Sequence, residues 1–307
     1  MQSSLTPLNQ CLDQVETALL AGNRTEPPLF FLGEMLNRLY PLMQAGPDCP
    51  IKQACLGHNV RKLLHEDPYT LRAFEKPRGY AGDAVLLDYI YSSQVPENTS
   101  EIGQSVFCVT TRAASAKSVV ARRDLLTRLI DETVESHARP SILSVACGHL
   151  REAQQSHAVR DGKLNKFYAL DQDGQSLAVI DREQRTDVVV PVLASIKDLL
   201  KGTVDIPQVQ LAYAAGLLDY LNKSAAEALV ARMWKLLAPG GSLLVANFTS
   251  ENSNRGYMAT FMAWELLYRS RQDIEQLADV LPQPEVAQRT SFIDDLGNIV
   301  YLKLQKA

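Results

Sequence analysis

Asp171 closes the apolar run Phe167-Tyr168-Ala169-Leu170 and lies about twenty residues beyond the small-residue stretch Ala146-Cys147-Gly148. A carboxylate at the carboxyl end of a core strand needs partners, because burying an unpaired charge is costly. The two hydroxyls of a ribose would supply them. Upstream, Ser141 to Glu152 (SILSVACGHLRE) reads as a short strand, Ile142 to Val145, then a turn of small residues, then the start of a helix. Such a turn lets the backbone approach a ligand closely. Strand, tight turn, helix and a second strand tipped with an acid form the front half of a nucleotide-binding βαβ unit.

Which nucleoside fits is decided by glycine. A dinucleotide site wants G-x-G-x-x-G, so that a pyrophosphate can sit on a helix N-terminus. Here the turn has one glycine, Gly148. That disfavours a nicotinamide-dependent oxidoreductase and suits S-adenosylmethionine, which carries no phosphate. Cys147 reads as a small residue in a tight turn rather than as a nucleophile, and Gln172 follows Asp171 in the loop. Leu211 to Leu221 (LAYAAGLLDYL) is a strand running into a small-residue loop, where Ala214, Ala215 and Gly216 would floor the cofactor site. Asp219, Tyr220 and Asn247 fall at strand ends that face the same crevice. A binding module that keeps the fold without the chemistry stays open as an alternative.

Two halves with different patterning must hold these residues. In residues 1–138, helical spacing of apolar residues recurs over Leu5 to Leu20, Pro28 to Met43, Ile51 to Leu64 and Ser115 to Ile130. Breaks at Gly22-Asn23, Gly46-Pro47 and Asp67-Pro68 separate them. From 139 to 307, strands near 141–146, 167–171, 187–191, 209–214 and 242–248 alternate with helices, which implies a parallel sheet covered on both faces. The last two strands, Val286 to Ile293 and Ile299 to Leu304, make a hairpin about Gly297-Asn298, expected to set the final strand antiparallel at the sheet edge. A helix over 255–277 would carry Trp264, Tyr268 and Arg269 at i, i+4 and i+5, with the two aromatics on one face.

Composition removes several classes. With 307 residues, 46% apolar and 21% charged, and a formal net charge of -4, the chain gives no electrostatic reason to expect a nucleic-acid partner. Five cysteines without C-x-x-C spacing support neither a disulfide framework nor a zinc site, and no metal is expected. No apolar run nears the ~20 residues that span a bilayer. The expectation is a cytoplasmic, reduced protein.

In the order and spacing of these motifs, residues 139–307 resemble a class I SAM-dependent methyltransferase, which implies a Rossmann-like seven-stranded α/β sheet with an antiparallel last strand. A narrower resemblance, to bacterial methyltransferases of 3-hydroxypalmitic acid methyl ester biosynthesis, rests on KPRGYAGDAVLLDYIY (Lys76 to Tyr91), SVACGHLRE, ALDQD, AAGLLDYL, APGGSLLVANF and WELLYRS (Trp264 to Ser270).

The resemblance implies that Ala146, Cys147 and Gly148 lie beside the methionine end of the cofactor. Glu152 would reach its ammonium, as similar acids do in related enzymes; Ser144 stands where many class I enzymes have an acid, a departure that implies a different hold on the ammonium. It implies that Ser195 and Ile196 flank the adenine, although Ser195 also reads as a helix N-cap with Asp198 three residues on. It makes the helical half a substrate lid, with Arg78, Tyr80, Asp83 and Tyr91 near the acceptor. From the residues alone, Asp83 equally reads as a helix N-cap. Tyr220, Asn247, Trp264, Tyr268 and Arg269 would line the substrate, and Arg269 could pair with a carboxylate. A carboxylate acceptor is ionised at neutral pH and needs no base; a hydroxyl or amine would need one, with Tyr80, Asp83 and Asp219 the candidates. The expected reaction is methyl ester formation on a small or acyl-chain acid. Methylation of nitrogen or a hydroxyl is the alternative.

Overall fold

The computed structural model describes residues 2–22, 24–43, 49–184 and 186–307, with side chains from residue 5. Asn23 and the Gly46-Pro47 break lie outside the described residues. Helices come first: α1 (Gln2–Leu20), α2 (Glu26–Met43), α3 (Pro50–Gly57), α4 (Val60–Leu64), α5 (Pro68–Glu75), α6 (Ala84–Ser92), α7 (Glu101–Thr110) and α8 (Ala114–Ser136). Strands and helices then alternate: β1 (Ile142–Val145), α9 (Arg151–Gln155), α10 (His157–Arg160), β2 (Phe167–Asp171), α11 (Gly174–Glu183), β3 (Val189–Leu193), α12 (Ile196–Lys201) and β4 (Val209–Ala214). The chain ends with α13 (Lys223–Lys235), β5 (Leu237–Phe248), α14 (Arg255–Phe261), α15 (Arg271–Gln276), β6 (Val286–Ile293) and β7 (Ile299–Lys306).

Two compact units result, Met1–Val120 with Asn252–Glu265, and Ala121–Glu251 with Leu266–Ala307. The division thus falls inside α8, earlier than the expected boundary near 138, and α14 joins the helical unit. Gly256 accounts for α14: a Cβ there would come within 2.3 Å of the Leu36 carbonyl carbon on α2, so only glycine admits this approach. Asp67-Pro68, read as a break, is a helix start. The Asp67 carboxylate accepts the Tyr69 and Thr70 N–H groups, and Pro68 occupies the first turn, where no N–H is needed.

In the second unit the seven strands lie in the order β3-β2-β1-β4-β5-β7-β6. The first five are parallel; β7 is antiparallel to β5 and β6. The last strand therefore lies one position in from the edge, and β6 takes the edge. Burial explains this: Ile299, Val300, Tyr301, Leu302 and Leu304 are buried, whereas most of β6 is exposed and polar, as an edge strand should be. Strand order reverses between the parallel neighbours β1 and β4, so their carboxyl ends open the crevice where this architecture binds ligands. Below it, Leu143, Val145, Leu170, Val209, Ala212, Leu229, Trp234, Leu243 and Val300 form the core.

The expected helix over 255–277 is two short helices separated by residues 262–270. Ala263, left-handed at φ 45°, ends α14, and the Trp264 N–H turns back to the Met258 carbonyl at 2.9 Å. Ser270 then starts α15 with a capping box to Asp273. Among the described residues, no helix is long and apolar enough to cross a membrane.

Candidate functional site

The turn after β1 has an alternating backbone, with Ala146 at φ 55°, Gly148 at φ 55° and Leu150 at φ 52°. Two non-glycine residues in the left-handed region are strained and persist only where surroundings hold them. The holding groups are identifiable. Cys147 N–H donates to the Leu170 carbonyl at 3.1 Å, and Gln184 donates from its side chain to the His149 and Leu150 carbonyls at 3.2 and 2.9 Å. Gly148 N–H donates to Asp171 Oδ2 at 2.8 Å, and Asp173 N–H to Asp171 Oδ1 at 2.9 Å.

Asp171 is buried, and that burial raises its pKa against the opposing pull of these N–H donors. Gly148 and Asp173 thus hold one oxygen each, and the Gln172 N–H also acts on the carboxylate. Burial pushes the Cys147 thiol well up, with Asp171 and Glu152 adding to it, so this thiol is inert at neutral pH. Gln172 is exposed in the loop after β2. Asp173 caps α11 through Gln175 N–H and Ser176 Oγ.

Across the crevice, β4 contributes a residue that sequence reasoning missed. Tyr213 is fully buried, and its hydroxyl donates to Glu152 Oε1 at 2.7 Å. The same hydroxyl is hydrogen-bonded to Ser144, so β1, β4 and the start of α9 share one polar node. Burial raises the Glu152 pKa, while the Tyr213 bond and the Arg122 and Arg123 charges oppose the rise. Arg122 was missed as well. Its buried guanidinium lies 3.6 Å from where a Cβ on Gly216 would stand, and its charge acts on both Glu152 and Asp219. Ala214 is buried, Ala215 half-buried and Gly216 exposed at the end of β4. Neither missed residue carries a sequence signal: a tyrosine inside an apolar strand and an arginine on an amphipathic helix are both ordinary.

Two expected substrate contacts and one base candidate have other duties. Arg269 Nη1 donates to the Leu218 carbonyl at 2.7 Å and to Asn247 Oδ1, and Nη2 donates to the Leu221 carbonyl. Asn247 Nδ2 donates to the Phe248 and Leu267 carbonyls, both at 2.8 Å. Asp219 Oδ1 accepts the Phe248 N–H at 2.7 Å, and burial pushes this carboxyl up to about 6. All three side chains are buried. Arg269 is thus a brace, not a cation presented to a substrate, and it leaves the helical face expected for it because residues 262–270 are not helical. Tyr220, 40% exposed, lies on the same turn as Asp219. Tyr268 lies in the non-helical stretch with Arg269.

Ser195 is the N-cap of α12 in a full capping box with Asp198, and Ile196 packs at the margin of the core. In the helical unit, Asp83 is the N-cap of α6. Its Oδ1 accepts Leu86 N–H and Arg72 Nε, both at 2.9 Å, and its Oδ2 accepts Arg72 Nη2 at 2.8 Å. The capping alternative describes this side chain. Arg78, Tyr80 and Tyr91 are half-buried and Trp264 is buried.

Neither a protein-family model nor a curated protein matches the chain by sequence. Solved structures do match by fold. A possible exported protein from Bordetella parapertussis superposes with a TM-score of 0.61 at 13% identity, over 95% of this chain and 96% of the other. A proposed methyltransferase from Thermobifida fusca gives a TM-score of 0.52 at 14% identity, over 73% of this chain and 94% of the other. An N-methyltransferase, NodS from Bradyrhizobium japonicum, in complex with S-adenosyl-L-homocysteine, gives 0.45 at 15% identity, over 72% and 97%. At these identities the likeness defines the fold alone. With its sheet order, antiparallel β7 and preceding helical region, that fold is the class I methyltransferase fold.

Proposed function

We propose that the chain is a SAM-dependent methyltransferase forming a methyl ester on a small or acyl-chain carboxylic acid. One observation carries the cofactor assignment. Asp171, at the end of β2, accepts the Gly148 N–H of the β1 turn on one oxygen and the Asp173 N–H on the other, so its carboxylate is held at the carboxyl end of the strand. In this reading a ribose donates its hydroxyls to that carboxylate. The turn lacks the glycines of a pyrophosphate cradle. Glu152 beneath Tyr213 offers a carboxylate to an ammonium. The residues present therefore fit S-adenosylmethionine, whose sulfonium would supply an already activated methyl group.

What the chain contributes is alignment, which is catalysis by proximity and orientation. In this reading Ala146, Cys147 and Gly148 orient the methionine end, Asp171 and Gln172 the ribose, Ser195 and Ile196 the adenine side, and Ala214 to Gly216 the floor. Two of the base candidates, Asp83 and Asp219, already accept hydrogen bonds at their carboxylates. This favours an acceptor that needs no base. A carboxylate is such an acceptor. The acceptor candidates are Arg78, Tyr80, Tyr91 and Trp264 in the first unit and Tyr220 and Tyr268 in the second, and the resemblance to the 3-hydroxypalmitic acid methyl ester enzymes favours an acyl-chain acid. Incubation with methyl-labelled SAM and host extract should put label into a base-labile product. Label in a base-stable product would move the reading to nitrogen or a hydroxyl.

A further inference from the structure

We propose that the outward face of α2 is a self-complementary surface on which a second copy of this chain packs, antiparallel, about a two-fold axis. Helix α2 divides cleanly. Leu29, Leu32, Leu36, Tyr40 and Met43, three or four residues apart, are its buried residues. On the opposite side lie Pro27, Phe30, Phe31, Glu34, Arg38, Pro41 and Leu42. Phe30 is 68% exposed, Phe31 53% and Leu42 57%, on a face where an unpartnered helix would carry polar residues.

The order of these residues names the occupant. Phe30 and Leu42 stand six positions before and after Leu36, Phe31 and Pro41 five, and Glu34 and Arg38 two. An antiparallel pair of α2 helices crossing at Leu36 therefore sets Phe30 against Leu42 of the second copy and Phe31 against its Pro41. It also sets Glu34 against Arg38 of the second copy, twice, as an isologous two-fold contact requires. A parallel pair would oppose Glu34 to Glu34 and Arg38 to Arg38, which is repulsive. An unrelated partner has no need of this symmetry.

The contact is small. An 18-residue helix is about 27 Å long, and an interface one helix wide falls below the ~1,200 Å² of standard-size complexes. The dimer is accordingly a concentration-dependent one.

Sedimentation of the full chain from micromolar to near-millimolar concentration tests this. The expected mass rises from monomer to dimer, and Phe30→Asp with Phe31→Asp keeps it monomeric. Glu34→Arg alone and Arg38→Glu alone each weaken association about tenfold, the worth of roughly 1.4 kcal/mol. Combining both reversals restores it, because the pairing is rebuilt with its signs exchanged. All four positions lie on the outward face, and unchanged thermal melts verify that the variants fold. A monomer at every concentration overturns the proposal. So does a dimer indifferent to the single reversals, or a double reversal that fails to rescue.

Discussion

Tyr213 donates its hydroxyl proton to Glu152 at 2.7 Å, tying the middle strand of the crevice to the first turn of the helix that follows β1. Ser144, where many class I enzymes have an acid, bonds to the same hydroxyl. In the proposed site the acid has moved from the strand to the helix, and Tyr213 aims it.

Tyr213→Phe therefore removes a donor from a buried carboxylate, a loss of about 1–3 kcal/mol of stability. Affinity for S-adenosylhomocysteine should fall about tenfold, or about 1.4 kcal/mol. 5′-Methylthioadenosine has no ammonium, so its affinity should hold. Calorimetric titration with both ligands separates the cases; equal losses for the two would remove Glu152 from ammonium binding.

Arg269→Ala tests the brace. It strands the Leu218 and Leu221 carbonyls and Asn247 Oδ1, and should cost on the order of 3 kcal/mol in urea unfolding. Turnover by the folded fraction should keep its KM for the acid. A raised KM with unaltered stability would return Arg269 to the substrate.

Asp219 gives a pH signature. Its carboxyl titrates near 6 when folded, against 3.8 as its ordinary value, because burial disfavours the charge. Between those values the folded state binds more protons than the unfolded state, so stability falls as pH rises through the window and is level above it. Asp219→Asn does not titrate. Measured by urea unfolding, its stability relative to the parent should rise from about pH 4 to about pH 6, by about 1.4 kcal/mol per unit at most. A difference independent of pH would contradict the assignment.

The sheet was legible because its strands are buried apolar runs with turn residues at their ends: Ile142 to Val145, Phe167 to Leu170 and Val209 to Ala214 each stand out from polar flanks. Capping residues were legible for the same local reason, since Ser195 with Asp198 and Asp83 before an apolar run need only neighbours in sequence. The break at 262–270 was not. Apolar residues continue through it at helical spacing, yet the backbone N–H groups of Leu267 and Arg269 go to Asp219 and Phe248, far away in sequence. Local propensity yields there to tertiary hydrogen bonding. Tyr213, Arg122 and the role of Arg269 were hidden for a related reason: each is defined by what its side chain meets across the sheet.

If Asp171 clamps a ribose, calorimetric titration of S-adenosylmethionine into the parent chain and into Asp171→Ala will register it. Binding by the parent should be saturable, with a loss of more than about a hundredfold in the variant, as two hydrogen bonds to a charged group imply. Unchanged affinity in a variant whose unfolding is still cooperative would contradict it.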